Sequence, residues 1–274
     1  MAEPQGTAVP PTPQAAETAP QASARPPKPP NNLVGLALLA GFVAAGWALV
    51  RGVATGPVTF AFVMLGWVLS VMAHEFSHAA TAYLGGDWTV RPKGYLAFDP
   101  RRYGDLGTSV VLPVIFLALG GIGFPGGAVY LRNDLMRAPF WRAAAALAGP
   151  AATLVVLLVL AAATRILLRI EGRDALAAAL AFLAFLQATG LILNLLPIPG
   201  LDGFGAIRPF LPAGWTPAIR RAEGLVMIGL FLLIFLSPMG GRLLFGTGGA
   251  LAAALGVPPE AIEQGFRAFR FWRG

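Results

Sequence analysis

Stretches free of Asp, Glu, Lys and Arg divide the chain, falling at 29–50, 52–74, 106–131, 143–164, 175–201, 224–241 and 243–259. A helix needs about 20 mostly apolar residues to cross the hydrocarbon of a bilayer. Segments 33–50, 58–82, 143–164, 176–198 and 222–238 meet that requirement. The run from Leu106 to Leu131 is long enough but carries Pro113, Gly120, Gly121, Gly123, Pro125, Gly126 and Gly127, which predicts a bent, re-entrant segment buried in protein. The run 243–259 is short and rich in Gly and Ala. Between these runs, residues 86–105 hold Thr89, Val90, Tyr95, Leu96 and Phe98 around Pro92-Lys93-Gly94, the pattern of a small surface β-hairpin. At the C-terminus Ile262, Phe266, Phe269 and Trp272 form one helical stripe beside Arg267, Arg270 and Arg273, predicting an interfacial amphipathic helix.

The expected architecture is therefore an all-α polytopic membrane protein. It has about five to six transmembrane helices, a surface β-hairpin and a re-entrant Gly/Pro-rich segment. Three regions are expected: a disordered tail at 1–32, a membrane core at 33–240, and a short apolar segment with the amphipathic helix at 241–274. The tail holds nine of the 24 prolines and almost no large apolar side chain, so it cannot bury enough surface to offset ordering entropy. It lacks the basic start and apolar core of a signal peptide, so no cleavage is expected.

Composition agrees with a lipid-embedded chain. Of 274 residues, 56% are hydrophobic and 12% charged, about half the charged share of a soluble domain, and the mean hydropathy is +0.68. The net charge of +7 comes from residues scattered singly or in pairs between apolar runs, which argues against nucleic acid as a partner. The absence of cysteine excludes disulfides and thiolate metal sites.

Candidate chemistry lies in the second segment. The chain's two histidines, His74 and His78, stand in Ala73-His74-Glu75-Phe76-Ser77-His78, inside an apolar helix. Spacing of four puts both imidazoles on one face, one turn apart, where they can share a metal. Glu75 is placed to hold and deprotonate a metal-activated water, the H-E-x-x-H pattern of zinc hydrolases. The competing explanation is interhelical polar contact, but a carboxylate at membrane depth is expensive for that purpose. A two-His zinc site normally takes a third protein ligand. A third His and Cys are absent, and no Glu occurs between Glu75 and Glu171. Asp202 stands out as the first charge after 27 uncharged residues, just beyond Pro197, Pro199 and Gly200, which would break the helix and turn the carboxylate inward. Its alternative role is to cap a surface turn. Asp87, Asp99, Asp105, Asp134 and Asp174 sit in loop-like surroundings.

Taken together these residues resemble the site-2 protease family of intramembrane zinc metalloproteases, in its compact bacterial and archaeal subgroup without PDZ or CBS domains. The resemblance covers roughly residues 33–240. It rests on three elements in order: His74 to His78, the middle Ala148-Gly149-Pro150-Ala151-Ala152, and the stretch from Asn194 to Leu201-Asp202-Gly203. It implies one zinc ion per chain held by His74, His78 and Asp202, Glu75 as catalytic base, and Asn194 positioning the substrate backbone or oxyanion. Two positions depart from the family pattern: Thr153 where Asn is common, and Gly200 where proline is common. Neither removes a ligand.

The implied function is zinc-dependent hydrolysis of peptide bonds in membrane-embedded protein substrates. A transporter or channel, or a zinc-binding membrane scaffold without turnover, is the alternative. The chain is expected to be a multi-pass protein of a prokaryotic plasma membrane. For His74 and Asp202 to meet at one depth, segments 58–82 and 176–198 must run the same way. With the N-terminal tail in the cytoplasm, twelve Lys and Arg fall inside and eight outside, a shallow positive-inside bias.

Overall fold

A computed structural model describes residues 32–53, 55–103 and 129–273. The expected re-entrant segment at 106–131 and the expected tail at 1–32 lie almost wholly outside them. The described chain forms α1 (Leu33–Val50), α2 (Thr55–Gly85), α3 (Pro139–Leu167), α4 (Asp174–Leu195), α5 (Asp202–Ile207), α6 (Thr216–Leu236), α7 (Pro238–Ala254) and α8 (Pro259–Phe269). Proline opens α3, α7 and α8 at the first helical turn, where its missing N–H costs nothing.

Helices α1 to α4 are each long and apolar enough to cross a membrane. α6 and α7 meet at Ser237 with a bend of 85° and supply a fifth span if counted together. The described residues thus give four to five candidate spans, against the five to six expected from sequence. α4 is the central helix: 78% of its apolar window is buried, against 17% for α1, whose Leu36, Val43 and Trp47 face outward. The largest apolar cluster joins α4 to α2, α3 and α8 through residues such as Phe62, Val63, Leu157, Phe182 and Phe269. The apolar stripe of α8 lies against protein: Phe269 is buried, and Phe266 packs against Phe182 with tilted rings whose centroids are 5.4 Å apart.

Directions follow from the contacts. Gly66 of α2 lies against Leu183 of α4, and His74 and His78 meet Asp202 just beyond the C-terminal end of α4, so α2 and α4 are parallel. α3 is antiparallel to α2, with Ala145 beside His78 and Thr153 beside His74.

The expected β-hairpin is not formed. Among the described residues 86–103 there is no strand; the segment makes two 3₁₀ turns, Trp88–Val90 and Pro100–Arg102. Asp87 caps the first, accepting from the Thr89 N–H at 3.0 Å, and Asp99 caps the second, accepting from the Arg101 N–H at 3.1 Å. These Asx-type bonds offer the backbone a local partner that outcompetes strand pairing. Tyr103 closes the loop by donating to the Ala97 carbonyl at 2.6 Å.

Candidate metal centre

The C-terminal part of α2 carries His74, Glu75 and His78, all buried. Helical spacing brings the imidazoles together, Nε2 to Nε2, at 3.0 Å. α4 stops at Leu195; Leu196 is extended, and Gly200 adopts φ +100°, a left-handed conformation closed to proline and strained for other residues. That turn starts α5 at Asp202 and aims its carboxylate back at the pair. Asp202 Oδ2 is 3.1 Å from His74 Nε2, and Oδ1 is 3.4 Å from His78 Nε2. The three sequence-selected residues are thus brought together across about 125 positions of chain.

α3 orients both rings from behind. His78 Nδ1 donates to the Ala145 carbonyl at 2.7 Å. A carbonyl can only accept, so Nδ1 carries a proton, which leaves Nε2, facing Asp202, as the nitrogen available to a metal. His74 Nδ1 pairs with the Thr153 hydroxyl at 2.9 Å. Thr153, one of the two departures from the family pattern, therefore does what an amide side chain could do there.

The donor set fits zinc. Two imidazole nitrogens and a carboxylate oxygen are its ordinary ligands, and bonds of about 2.0–2.1 Å in tetrahedral arrangement separate ligand atoms by about 3.3 Å. The observed separations of 3.0, 3.1 and 3.4 Å bracket that figure. Gly149 of α3 supplies a second observation. A Cβ there would lie 2.2 Å from His78 Nε2 and 2.6 Å from His74 Nε2, so the absent side chain keeps the lone-pair side of both rings clear. Among the described residues, His74, His78 and Asp202 are the one group of His and acidic residues that could hold a metal ion.

Glu75 points to the same side. Its Oε2 accepts from the Val129 N–H at 3.2 Å. Residues 130–132, just after that bond, are pinned as well: Arg132 N–H donates to the buried Asp87 at 2.7 Å, and Lys93 Nζ donates to the Tyr130 carbonyl at 2.7 Å. The loop at 86–103, expected as a hairpin, instead anchors this segment beside Glu75. A cavity of about 1060 Å³ opens over the centre; Asn194 lines it, as do Gln187, Arg142 and Arg208. Sequence reasoning missed Ala145, Gly149's clearance, Val129 and Gln187. The first three act through backbone or empty space, which residue type does not announce.

Comparison with known proteins agrees with this geometry. No family model and no solved structure matches the chain. It is 41% identical over 260 residues to a Mycobacterium tuberculosis protein named "Putative zinc metalloprotease Rip2", covering 93% of this chain and 98% of that one. A Mycolicibacterium smegmatis protein of the same name is 40% identical over 215 residues, 78% of this chain and 81% of the relative. YwhC of Bacillus subtilis, also named as a zinc metalloprotease, is 28% identical over 192 residues, 67% of this chain and 84% of the relative. With likeness of that extent and a two-histidine, one-aspartate centre of this form, the chain belongs to the site-2 protease family of zinc metalloproteases.

Proposed function

We propose that this zinc metalloprotease is an intramembrane endopeptidase, cutting peptide bonds of membrane-embedded protein substrates with Glu75 as general base. The observation that carries the reading is the meeting of His74, His78 and Asp202 next to Glu75 on α2, a helix long and apolar enough to cross a bilayer. His74, His78 and Asp202 would hold the zinc ion, one per chain. Bound there, zinc supplies Lewis acidity, polarising the scissile carbonyl and acidifying water toward neutral pH. Glu75 has one carboxylate oxygen engaged by the Val129 N–H, which fixes the side chain and leaves the other to take a proton from water and return it to the leaving amine. Asn194, buried on the cavity wall, holds the substrate backbone or the developing oxyanion.

A helical substrate hides its amides in its own hydrogen bonds and must unwind locally before attack. The pinned backbone at 129–132, rather than a hairpin, offers it an edge to pair with. The core at 33–240 performs the chemistry. The tail at 1–32 lies on the cytoplasmic side of a prokaryotic plasma membrane; accessibility tags at residues 20 and 172 should read from opposite sides, and reading from one side would overturn that orientation.

The test is cleavage of a membrane-peptide substrate by lipid-reconstituted protein, wild type against Glu75→Gln, with zinc content measured on both. Loss of the base should lower the rate by about 10²–10⁴ with zinc retained. Equal cleavage in both ends the protease reading, and bound zinc without cleavage in wild type points to a non-catalytic scaffold.

A further inference from the structure

The cavity continues past the metal centre. Beyond His74 its wall is formed by Trp67, Ser70 and Val71 of α2 and by Leu186 and Gln187 of α4. Because α2 and α4 run parallel with Gly66 against Leu183, Ser70 and Gln187 lie at like depth, one turn or about 6 Å before His74. Gln187 is only 5% exposed. Ser70 spends its hydroxyl on the Gly66 carbonyl at 2.7 Å, and Thr153 is committed to His74. Among the described residues neither Gln187 nor Asn194 hydrogen-bonds another group, and across the same cavity Arg142 carries a buried Nε that is also unpaired.

The amide atoms of Gln187 and Asn194 open onto the cavity, where they can exchange water for the polar groups of a ligand. Positions 187 and 194 are seven apart and share one face of α4, separated by about 10 Å along the axis. Gly190 lies between them, and a Cβ there would meet nothing within 4 Å among the described residues, which leave that track open. Ten ångströms is about three residues of extended chain. A carboxamide offers one acceptor and two donor hydrogens, the complement of a peptide unit. The neighbouring Trp67, Val71 and Leu186 offer nothing to a charged side chain.

We propose that Gln187 is a substrate-positioning residue whose carboxamide hydrogen-bonds a peptide unit of the unwound substrate about three residues from the unit held at Asn194. The assignment rests on the intramembrane protease reading. It gives α4 a second anchoring point that satisfies backbone groups the substrate loses when its helix opens.

An ester scan tests it. In lipid-reconstituted Glu75→Gln protein, a membrane peptide is bound with each backbone N–H in turn replaced by an ester oxygen. One position away from the scissile bond should weaken binding about tenfold, the usual worth of such a bond. With Gln187→Met added, that same ester should cost less than about twofold at unchanged zinc content. In active protein, Gln187→Met should raise KM and leave kcat nearly constant, as loss of uniform binding does. An identical ester profile with and without Gln187 overturns the proposal. So does a Glu75→Gln profile with one penalised position lost on Asn194→Ala and no other, whether or not the Gln187 variant folds. Absence of Glu75-dependent cleavage overturns both readings, whereas Glu75-dependent cleavage with an unchanged profile overturns the Gln187 assignment alone.

Discussion

Replacing Gly149 by alanine tests the metal centre through a residue that is not itself a ligand. In a helix interior the change should favour folding by roughly 0.5–1 kcal/mol, since alanine loses less backbone entropy than glycine. At this position the new methyl would stand 2.2 Å from His78 Nε2, 2.6 Å from His74 Nε2 and 2.6 Å from His78 Cε1. Ordinary carbon contacts are about 3.5 Å or more, so the rings or α3 must retreat by about 1 Å. Rotating the rings breaks the Nδ1 bonds to Ala145 and Thr153; moving them apart spoils the 3.0 Å Nε2 separation. Loss of an orienting partner alone lowers metal affinity about 10–100-fold, and here both rings are affected, so a loss of at least about 100-fold is expected. The assay is zinc stoichiometry of purified protein with chelator competition, beside thermal melting in zinc-free buffer. Gly229→Ala, where a Cβ meets nothing within 4 Å, is the control. Wild-type zinc affinity in Gly149→Ala would refute the clearance argument.

Three further outcomes follow from other contacts. Thr153→Val removes the hydroxyl beside His74 Nδ1 while keeping shape, and should lower zinc affinity about tenfold by competition titration, with Thr153→Asn restoring most of it. Asp202→Ala should deplete zinc far below Asp134→Ala, because Asp134 is exposed and paired with Arg132 at 2.7 Å; metal analysis showing equal losses would remove Asp202 from the site. Outside the spans, the Arg101 guanidinium holds the Asp99 carboxyl below its ordinary range, so the stabilisation is complete above the unfolded value of 3.8 and is lost as pH falls through the lower folded value. Proteolysis at residues 88–103 should therefore accelerate only below about pH 4, and Asp99→Asn should show the acid behaviour at neutral pH.

The four strongly apolar helices were legible because hydropathy responds to the solvent rather than to packing. Segment 33–50 coincides with α1, and 143–164 lies inside α3, which extends to Pro139–Leu167 through flanking residues that a run of uncharged positions excludes. His74, Glu75 and His78 were legible from spacing, and Asp202 from its isolation after a broken helix. The hairpin at 86–105 was misread because Thr89, Val90, Tyr95 and Leu96 have strand propensity, while the deciding groups were the Asp87 and Asp99 carboxylates that cap tight turns. The supporting contacts were hidden for another reason. The Ala145 carbonyl, the Val129 N–H and the space at Gly149 depend on the register between α2 and α3, which periodicity within one helix does not specify. Gln187 gave a faint signal as an amide seven residues before Asn194, but which face turned toward α2 depended on packing around Leu183.

The central claim is tested most directly by locating zinc itself. Anomalous diffraction at the zinc edge from crystals of the loaded protein should show one strong peak per chain, within bonding distance of His74 Nε2, His78 Nε2 and an Asp202 oxygen, and no such peak in Asp202→Ala. A peak elsewhere, or one at the histidine pair completed by another residue with Asp202 turned away, would contradict the account.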